Sequence, residues 1–258
     1  MLIWLEQLPV FLLILVRITS FFVSAPIFSM KGVPMPFKVG LGVFISFVSY
    51  LTISVEQPIM LDFTYILLIL KEAVIGLALG FVASLILYTV QVAGAFIDFQ
   101  MGFAIANVVD PQTGAQVPIL GNFKYMLALF FLLSVNGHHL LIDAVIKSYQ
   151  MVPIDLAFVP IGSERVALFI SSLFVQMFVV AFQLAIPIVG SLFLVDVALG
   201  FLARTVPQLN VFVVGLPLKI LVGFTIILLT FATFFQLLGG LFRDMVDAMG
   251  QLLKLLGG

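Results

Sequence analysis

Long runs of apolar residues follow one another along this chain, with few charges inside them. A helix needs roughly 20 apolar residues to cross the hydrocarbon core of a bilayer, because each residue advances it by about 1.5 Å. Such runs must be helical, since lipid cannot satisfy free backbone groups. Six stretches approach or exceed this length: Gln7 to Pro26, Val39 to Val55, Phe63 to Val92, Tyr125 to Ile142, Val166 to Val195, and Val211 to Phe242. The pattern predicts an all-α, polytopic integral membrane protein of about six apolar segments.

The first of these stretches differs from a cleaved secretory signal. It has no basic start, carries Arg17 in its middle and ends at Pro26. A signal peptide has a positively charged beginning followed by an uninterrupted apolar centre. We therefore expect a retained helix rather than a removed leader.

The segment from Gly94 to Asn122 interrupts the apolar pattern. It is too polar for a plain span, yet it contains large apolar side chains. Those residues are Phe96, Met101, Phe103, Ile105, Val108 and Val109. A segment of this mixed character is expected in an interface or a cavity.

The C-terminal segment has an amphipathic helical pattern. Apolar residues recur at helical spacing on one face, and charged or polar residues lie on the other. The apolar positions are Leu241, Met245, Met249, Leu252 and Leu256, opposite Arg243, Asp247, Gln251 and Lys254. This pattern predicts a helix that lies on the membrane surface or, alternatively, binds a partner.

Composition and charge support the membrane interpretation. Hydrophobic residues make up 63% of the 258 residues and charged residues 9%, whereas soluble domains have about half and a quarter. With 11 basic and 12 acidic residues there is no basic stripe, so nucleic-acid binding is not expected. The chain has no cysteine, which removes disulfides and thiolate chemistry. Lysine and arginine divide almost equally between the two sides of the predicted membrane, so the positive-inside rule predicts no orientation.

Ionisable residues inside the apolar segments are costly and deserve functional hypotheses. They are Arg17, Lys71, Glu72, Asp98, Asp196, Arg204 and Lys219. We expect Lys71 and Glu72 to reach the membrane interface or to pair with a neighbouring subunit, in preference to relaying protons. A polar corner before Pro207 suffices to explain Asp196 and Arg204.

The two histidines suggest half of a metal site. His139 and Asp143 share a helical face at a spacing of four residues, next to His138. Catalytic zinc takes three protein ligands, and no third is evident nearby. A turn at Asn136, Gly137 and His138 is therefore the preferred interpretation, and no metal or other cofactor is expected.

Small residues predict close helix packing on one face of the third stretch. Gly76, Gly80 and Ser84 repeat at four-residue spacing. Such a face lets another helix backbone approach closely in a membrane.

Four stretches of the chain together resemble the FliR family of flagellar biosynthesis proteins, whose injectisome counterparts belong to the type III secretion export apparatus. The order and spacing of these stretches cover most of the chain. They are Ser24-Ala25-Pro26-Ile27-Phe28 with Val33-Pro34; Gly94 to Phe103 with Gln100-Met101-Gly102, then Asp110-Pro111; Asn136-Gly137-His138; and Leu199-Gly200 with Arg204, Pro207-Gln208 and Asn210-Val211-Phe212. The last of the four is the most specific.

The resemblance implies a non-enzymatic subunit of the flagellar export gate in the bacterial inner membrane, at the flagellum basal body. It implies kinked helical hairpins that stack with FliP and FliQ, beside FlhB, into a hetero-oligomeric helical assembly around a channel for unfolded flagellar proteins. In this view residues 1–258 form a single membrane domain. Residues 1–150 would resemble a FliP subunit and residues 166–258 a FliQ hairpin with an amphipathic C-terminal helix.

The gate hypothesis suggests roles for individual residues. Bulky apolar groups and flexible thioethers can close a narrow passage by excluding water. Met101, Phe103 and Ile105 are therefore candidates for a channel seal, with Gly102 and Gly114 giving backbone freedom; the alternative is that they fill a core. The expected joints between helices or subunits are Asp98, Asp110, Pro111, Arg204, Pro207, Gln208 and Asn210.

Two other functions stay open at this point. Interrupted helices and intramembrane charges are also typical of secondary transporters of small solutes. An intramembrane enzyme would have to rely on His138, His139 and Asp143. The absence of a visible inverted repeat and of a third metal ligand makes both less favoured than the gate.

Overall fold

The computed structural model describes residues 2–30, 32–53, 62–103, 118–156, 158–208 and 210–257, with side chains from residue 8 onward. Within these ranges the chain is helical and contains no strand. The helices are α1 (Leu2–Ser24), α2 (Met35–Thr52), α3 (Phe63–Met101), α4 (Ile119–Ser134), α5 (Gly137–Met151), α6 (Glu164–Thr205), α7 (Val211–Leu229) and α8 (Phe231–Gly257). The prediction of an all-α membrane protein is confirmed.

The number of predicted spans is corrected. Four described helices, α2, α3, α6 and α7, are long and apolar enough to cross a membrane. The predicted span from Tyr125 to Ile142 is instead two helices, α4 and α5, that meet at 74°; counted as one broken span they make a fifth. The bend lies at Asn136, whose φ of 58° is left-handed and so ends α4. The predicted turn at Asn136 is confirmed.

The described helices belong to two compact units that interleave along the chain. Unit 1 comprises Met1–Ile86, Leu132–Leu173 and Phe242–Gly258, and unit 2 comprises Leu87–Phe131 and Phe174–Leu241. Helices α3, α4, α6 and α8 therefore contribute residues to both units. The division into a FliP-like and a FliQ-like part stays a prediction.

In unit 1, α1 packs closely against the first half of α3. The buried face of α1 carries Leu13, Ile14, Arg17, Ile18 and Phe21, which recur at helical spacing. On α3, a Cβ added to Gly80 would lie 2.7 Å from the backbone nitrogen of Ala25 and 2.8 Å from the carbonyl oxygen of Phe21. Gly76 likewise faces backbone atoms of Arg17 and Phe21. Glycine is needed at both positions because backbone atoms cannot move aside.

Two hydrogen bonds support this contact, and the one from Ser84 extends it by one turn of α3. The Ser84 hydroxyl donates to the carbonyl oxygen of Ser24 at 2.5 Å, and the Ser24 hydroxyl donates to that of Leu77 at 3.0 Å. The face formed by Gly76, Gly80 and Ser84 is thus turned towards α1 of the same chain.

The amphipathic helix predicted at the C-terminus is present as part of α8, but its apolar stripe has neither predicted role. Leu241, Met245, Met249, Leu252 and Leu256 are all buried within the structure, with at most 7% of each exposed. Arg243, Asp247, Gln251 and Lys254 are exposed on the opposite face. Because the stripe packs against the chain itself, the predictions of a membrane-surface anchor and of a partner-binding face are wrong for it.

The close packing of α1 on α3 predicts different effects for two alanine substitutions. Gly80→Ala should lower the free energy of unfolding by about 1–3 kcal/mol, because the methyl group overlaps backbone atoms. Gly190→Ala on α6 meets no atom within 4 Å and is the matched control. It should be neutral, or stabilising by up to about 1 kcal/mol through helix propensity. Unfolding in mixed detergent micelles measures both, and equal effects would contradict the packing argument.

Candidate functional site

The buried charges of unit 1 form a single network centred on Arg17. Arg17 on α1 and Glu72 on α3 have fully buried side chains and form a two-pronged ion pair. The Nε atom of Arg17 donates to Oε2 of Glu72, and Nη2 donates to Oε1 at 2.9 Å. Bidentate geometry of this kind is the strongest form of an arginine–carboxylate contact.

The end of α5 completes the network. Arg17 Nη1 donates to the hydroxyl of Ser148 at 2.9 Å, and Nη2 donates to the carbonyl oxygen of Val152 at 2.9 Å. The Arg17 guanidinium also lies over the ring of Tyr149, 4.0 Å from its centroid. The chain leaves the helix at Val152, because the next residue is Pro153. Carbonyl oxygens at a helix C-terminus lack helical partners and attract cations.

Lys71 joins the network from the same turn of α3 as Glu72. Its ammonium lies 2.7 Å from Oε1 of Glu72 and donates to the carbonyl oxygens of Pro153 and Ile154 at 3.0 and 2.9 Å. The prediction that Lys71 and Glu72 reach the interface or pair with another subunit is therefore wrong. Glu72 pairs with both Arg17 and Lys71 of the same chain. The sequence could indicate Arg17 only as an opposite charge in another apolar helix.

In unit 2, Asp98 connects two helices. Its carboxylate accepts the backbone N–H of Leu120 at 3.1 and 3.0 Å, through its two oxygens, and that of Gly121 at 3.2 Å. These N–H groups belong to the first turn of α4, where helices have no internal acceptors. A carboxylate from another helix thus caps the N-terminus of α4. Asp98, predicted as a joint, joins α3 to α4 within this chain.

Gly102 ends α3 in a defined conformation. Its φ is +88°, and its N–H donates to the carbonyl oxygen of Phe99 at 3.2 Å. The N–H of Phe103 donates to the carbonyl oxygen of Asp98 at 3.0 Å. This pair of bonds is a Schellman motif, in which glycine takes the left-handed position after the helix. The backbone freedom predicted for Gly102 is used to end the helix.

The structure describes part of the predicted channel seal. Met101 has no exposed surface and belongs to the core of unit 2 with Ile97, Ala185 and Leu192. The Met101 side chain also packs against Gly223 of α7, where an added Cβ would lie 2.8 Å from the Cε atom of Met101. Met101 therefore fills a core in unit 2, which was the alternative to a channel seal. Phe103 is half-buried, packed against the same core. Ile105, Asp110, Pro111 and Gly114 lie outside the described residues.

A second polar cluster in unit 2 involves α3, α6 and α7. The carboxylate of Asp196 lies 2.8 Å from the ammonium of Lys219 and accepts the side-chain N–H of Gln100 at 2.8 Å. Asp196 is nine residues before Thr205, the end of α6. It therefore pairs with α3 and α7 from within α6, away from the predicted polar corner.

The loop after α6 carries the most specific part of the resemblance. Arg204, Pro207 and Gln208 are exposed, so each is accessible in this chain. Asn210 is the N-cap of α7, and its side-chain oxygen accepts the N–H groups of Phe212 and Val213 at 3.2 and 3.3 Å. Asn210 is therefore a local helix cap, whereas the three exposed residues have room for a partner.

The histidine pair does not form a metal centre with the nearby carboxylate. His138 and His139 have ring centroids 4.2 Å apart, and the carboxylate of Asp143 is paired with Lys147 at 2.7 Å. Within the described residues, no group of three histidine, aspartate or glutamate side chains could hold a metal ion.

Comparison with known proteins places the chain in a family. Residues 8–245 match the family described as "Bacterial export proteins, family 1". The chain is 48% identical to the flagellar biosynthetic protein FliR of Bacillus subtilis, over 98% of this chain and 97% of that protein. It is 31% identical to FliR of Escherichia coli, over 86% and 84% of the two chains. It is also 30% identical to the Yop proteins translocation protein T of Yersinia pestis, over 83% and 82%.

The family match begins in α1 and ends in α8, and the alignment with the Bacillus subtilis protein covers 98% of the chain. They agree with the four stretches by which the sequence resembles FliR. The chain belongs to bacterial export proteins, family 1, the family of FliR.

Proposed function

We propose that this chain is a non-enzymatic subunit of the flagellar type III protein export gate in the bacterial inner membrane, at the flagellum basal body. The observation that carries the proposal is the 48% identity to FliR of Bacillus subtilis across nearly the whole of both chains. The similarity to a Yop translocation protein supports the same class of activity, the export of proteins. No comparison supports the secondary transporter considered above.

The exposed apolar surface supports a role within an assembly. Only 11% of the apolar stretch of α7 is buried by the chain, against 61% for α3. Phe201, Phe212 and Leu221 are 68%, 68% and 66% exposed. Contiguous exposed apolar surface marks contacts with membrane or protein. The proposed partners are FliP and FliQ, with FlhB as a neighbour and unfolded flagellar proteins as cargo.

Arg204 and Gln208 are the proposed joints to other subunits. Both are exposed and lie beside the apolar surface of α6 and α7. Arginine is enriched among the residues that dominate protein interfaces. An exposed arginine next to apolar residues therefore suits a subunit contact.

The assembly proposal predicts a defined set of companions. Affinity purification of the tagged full chain from membranes in mild detergent should recover FliP, FliQ and FlhB in fixed proportion. Arg204→Ala should lower the recovery of FliP and FliQ about tenfold, as expected for a central interface arginine. Arg243→Ala, which removes an exposed charge from α8, is the matched control and should leave recovery unchanged. A stable lone monomer would contradict the gate, and full recovery with Arg204→Ala would contradict only the joint.

The channel seal is proposed for Phe103 and Ile105, which follow the end of α3. A passage for unfolded chains must exclude ions when it is idle, and bulky apolar side chains can do so by removing water from a constriction. Met101 anchors the start of this segment in the core of unit 2. Gly114 is proposed to give freedom to the segment, and Asp110 and Pro111 are proposed as its joints.

Small polar replacements test the seal. Phe103→Ser and Ile105→Ser should raise the ion permeability of vesicles that contain the assembled gate several-fold, because a hydroxyl admits water to the constriction. Phe158→Ser, at an apolar side chain that is 83% exposed, is the matched control and should leave permeability unchanged. Assembly is checked by the recovery of companions. Unaltered permeability in an assembled gate with both changes would refute the seal.

A further inference from the structure

A cavity in unit 2 lies between α4 and the junction of α7 with α8. It encloses about 520 Å³, within the range of about 300–1,000 Å³ that is typical of ligand sites. Its walls include Leu127, Phe224, Ile227, Phe231 and Phe234, and Lys124 is the one charged side chain among the described residues that line it. We call it the α4–α7 groove. At its rim Phe123 and Leu228 are 53% and 73% exposed, so the groove is accessible from outside.

Lys124 is a buried cation that forms no salt bridge in the described part of the chain, although the carboxylate of Asp98 is near enough to attract it electrostatically. Only 8% of its surface is exposed, and it forms no ion pair or hydrogen bond with a described residue. Its ammonium lies 5.3 Å from the centroid of the Phe234 ring, a cation–π contact. Burial of an unpaired charge is costly, and buried polar groups are almost always satisfied. An anionic group is therefore the expected complement of the groove.

The nearby carboxylate of Asp98 does not supply this complement. It accepts the N–H groups of Leu120 and Gly121 at the start of α4, and it forms no ion pair with Lys124. Its charge is directed to the positive end of the helix. The ammonium of Lys124, one turn further along α4, is left facing the groove.

We propose that the α4–α7 groove binds an anionic phospholipid. Helix α7, and α4 with α5 as one broken span, are long and apolar enough to lie in a membrane. A phospholipid combines an apolar body with a single anionic end, which matches an apolar lining with one cation. The acyl chain lies along the aromatic and aliphatic walls, and a phosphate oxygen accepts a hydrogen bond from Lys124. Basic pockets between membrane helices bind anionic headgroups in this way. This inference depends on the membrane setting and not on the export function.

Native mass spectrometry of the full chain in mild detergent tests the proposal. The chain is titrated with phosphatidylglycerol or with phosphatidylcholine that carries the same acyl chains. The wild type should bind phosphatidylglycerol about tenfold more tightly, as expected for one charge-assisted hydrogen bond. Lys124→Met should reduce this preference to about unity and leave phosphatidylcholine binding unchanged, whereas Lys124→Arg should preserve it.

Lys147→Met is the matched control, because it removes one positive charge from an exposed ion pair with Asp143 in unit 1. It should retain the preference of the wild type. Lys124→Gln replaces Lys124→Met if the latter does not purify as a folded protein. Equal binding of the two lipids by the wild type would overturn the proposal, and so would an equal loss of preference in Lys147→Met. A carbodiimide cross-link from Lys124 to a carboxylate of another subunit would assign the groove to a protein partner and also overturn it.

Discussion

The ion pair between Arg17 and Glu72 is the interaction on which the packing of unit 1 depends. An isolated charge is costly in a membrane interior, so each side chain requires the other. The pair fixes α1 against α3, and the bonds from Arg17 to Ser148 and Val152 fix the end of α5 to both. Glu72 begins a stripe on α3 that continues, four residues at a time, through Gly76, Gly80 and Ser84. The charge of Glu72 and the small residues that follow it on the same face of α3 therefore both contact α1.

Unit 2 uses polar groups for the ends of helices. Asp98 takes part in both ends. Its backbone carbonyl oxygen accepts a bond of the Schellman motif at the end of α3, and its side-chain carboxylate caps the start of α4. These bonds hold both ends of the segment that joins the two helices, residues 102–118. Phe103, the described residue of the proposed seal, is thus held at the end of α3. Elsewhere the apolar surfaces of α6 and α7 are largely uncovered, as in a subunit whose surroundings are other proteins and lipid.

The sequence predicted the helices better than their partners. Apolar length sufficed for α2, α3 and α6, whereas the stretch predicted from Val211 to Phe242 is divided at Thr230 between α7 and α8. Asn136 with Gly137 indicated a turn. The pattern did not show that this turn bends the chain by 74°, because hydrophobicity contains no information on direction. Nor did it show that Glu72 pairs with Arg17, or that the stripe of α8 is buried, since spacing along a helix does not identify the facing element. For the site, the sequence predicted Asp98 as a joint and Gly102 as a point of backbone freedom. It did not predict that Asp98 binds the first turn of α4, because these groups become neighbours only when the chain folds.

A double-mutant cycle on Arg17 and Glu72 tests most directly whether this ion pair organises unit 1. Arg17→Met and Glu72→Met should each lower the free energy of unfolding by about 3–5 kcal/mol. Glu72→Met leaves the buried Arg17 and Lys71 without a carboxylate, and Arg17→Met removes the two-pronged partner of Glu72 and leaves it with Lys71. The double variant should lose less than the sum, with a coupling energy of about 2–3 kcal/mol. The exposed pair of Asp143 and Lys147 is the control and should give less than about 1 kcal/mol. Additive losses at Arg17 and Glu72 would contradict the account.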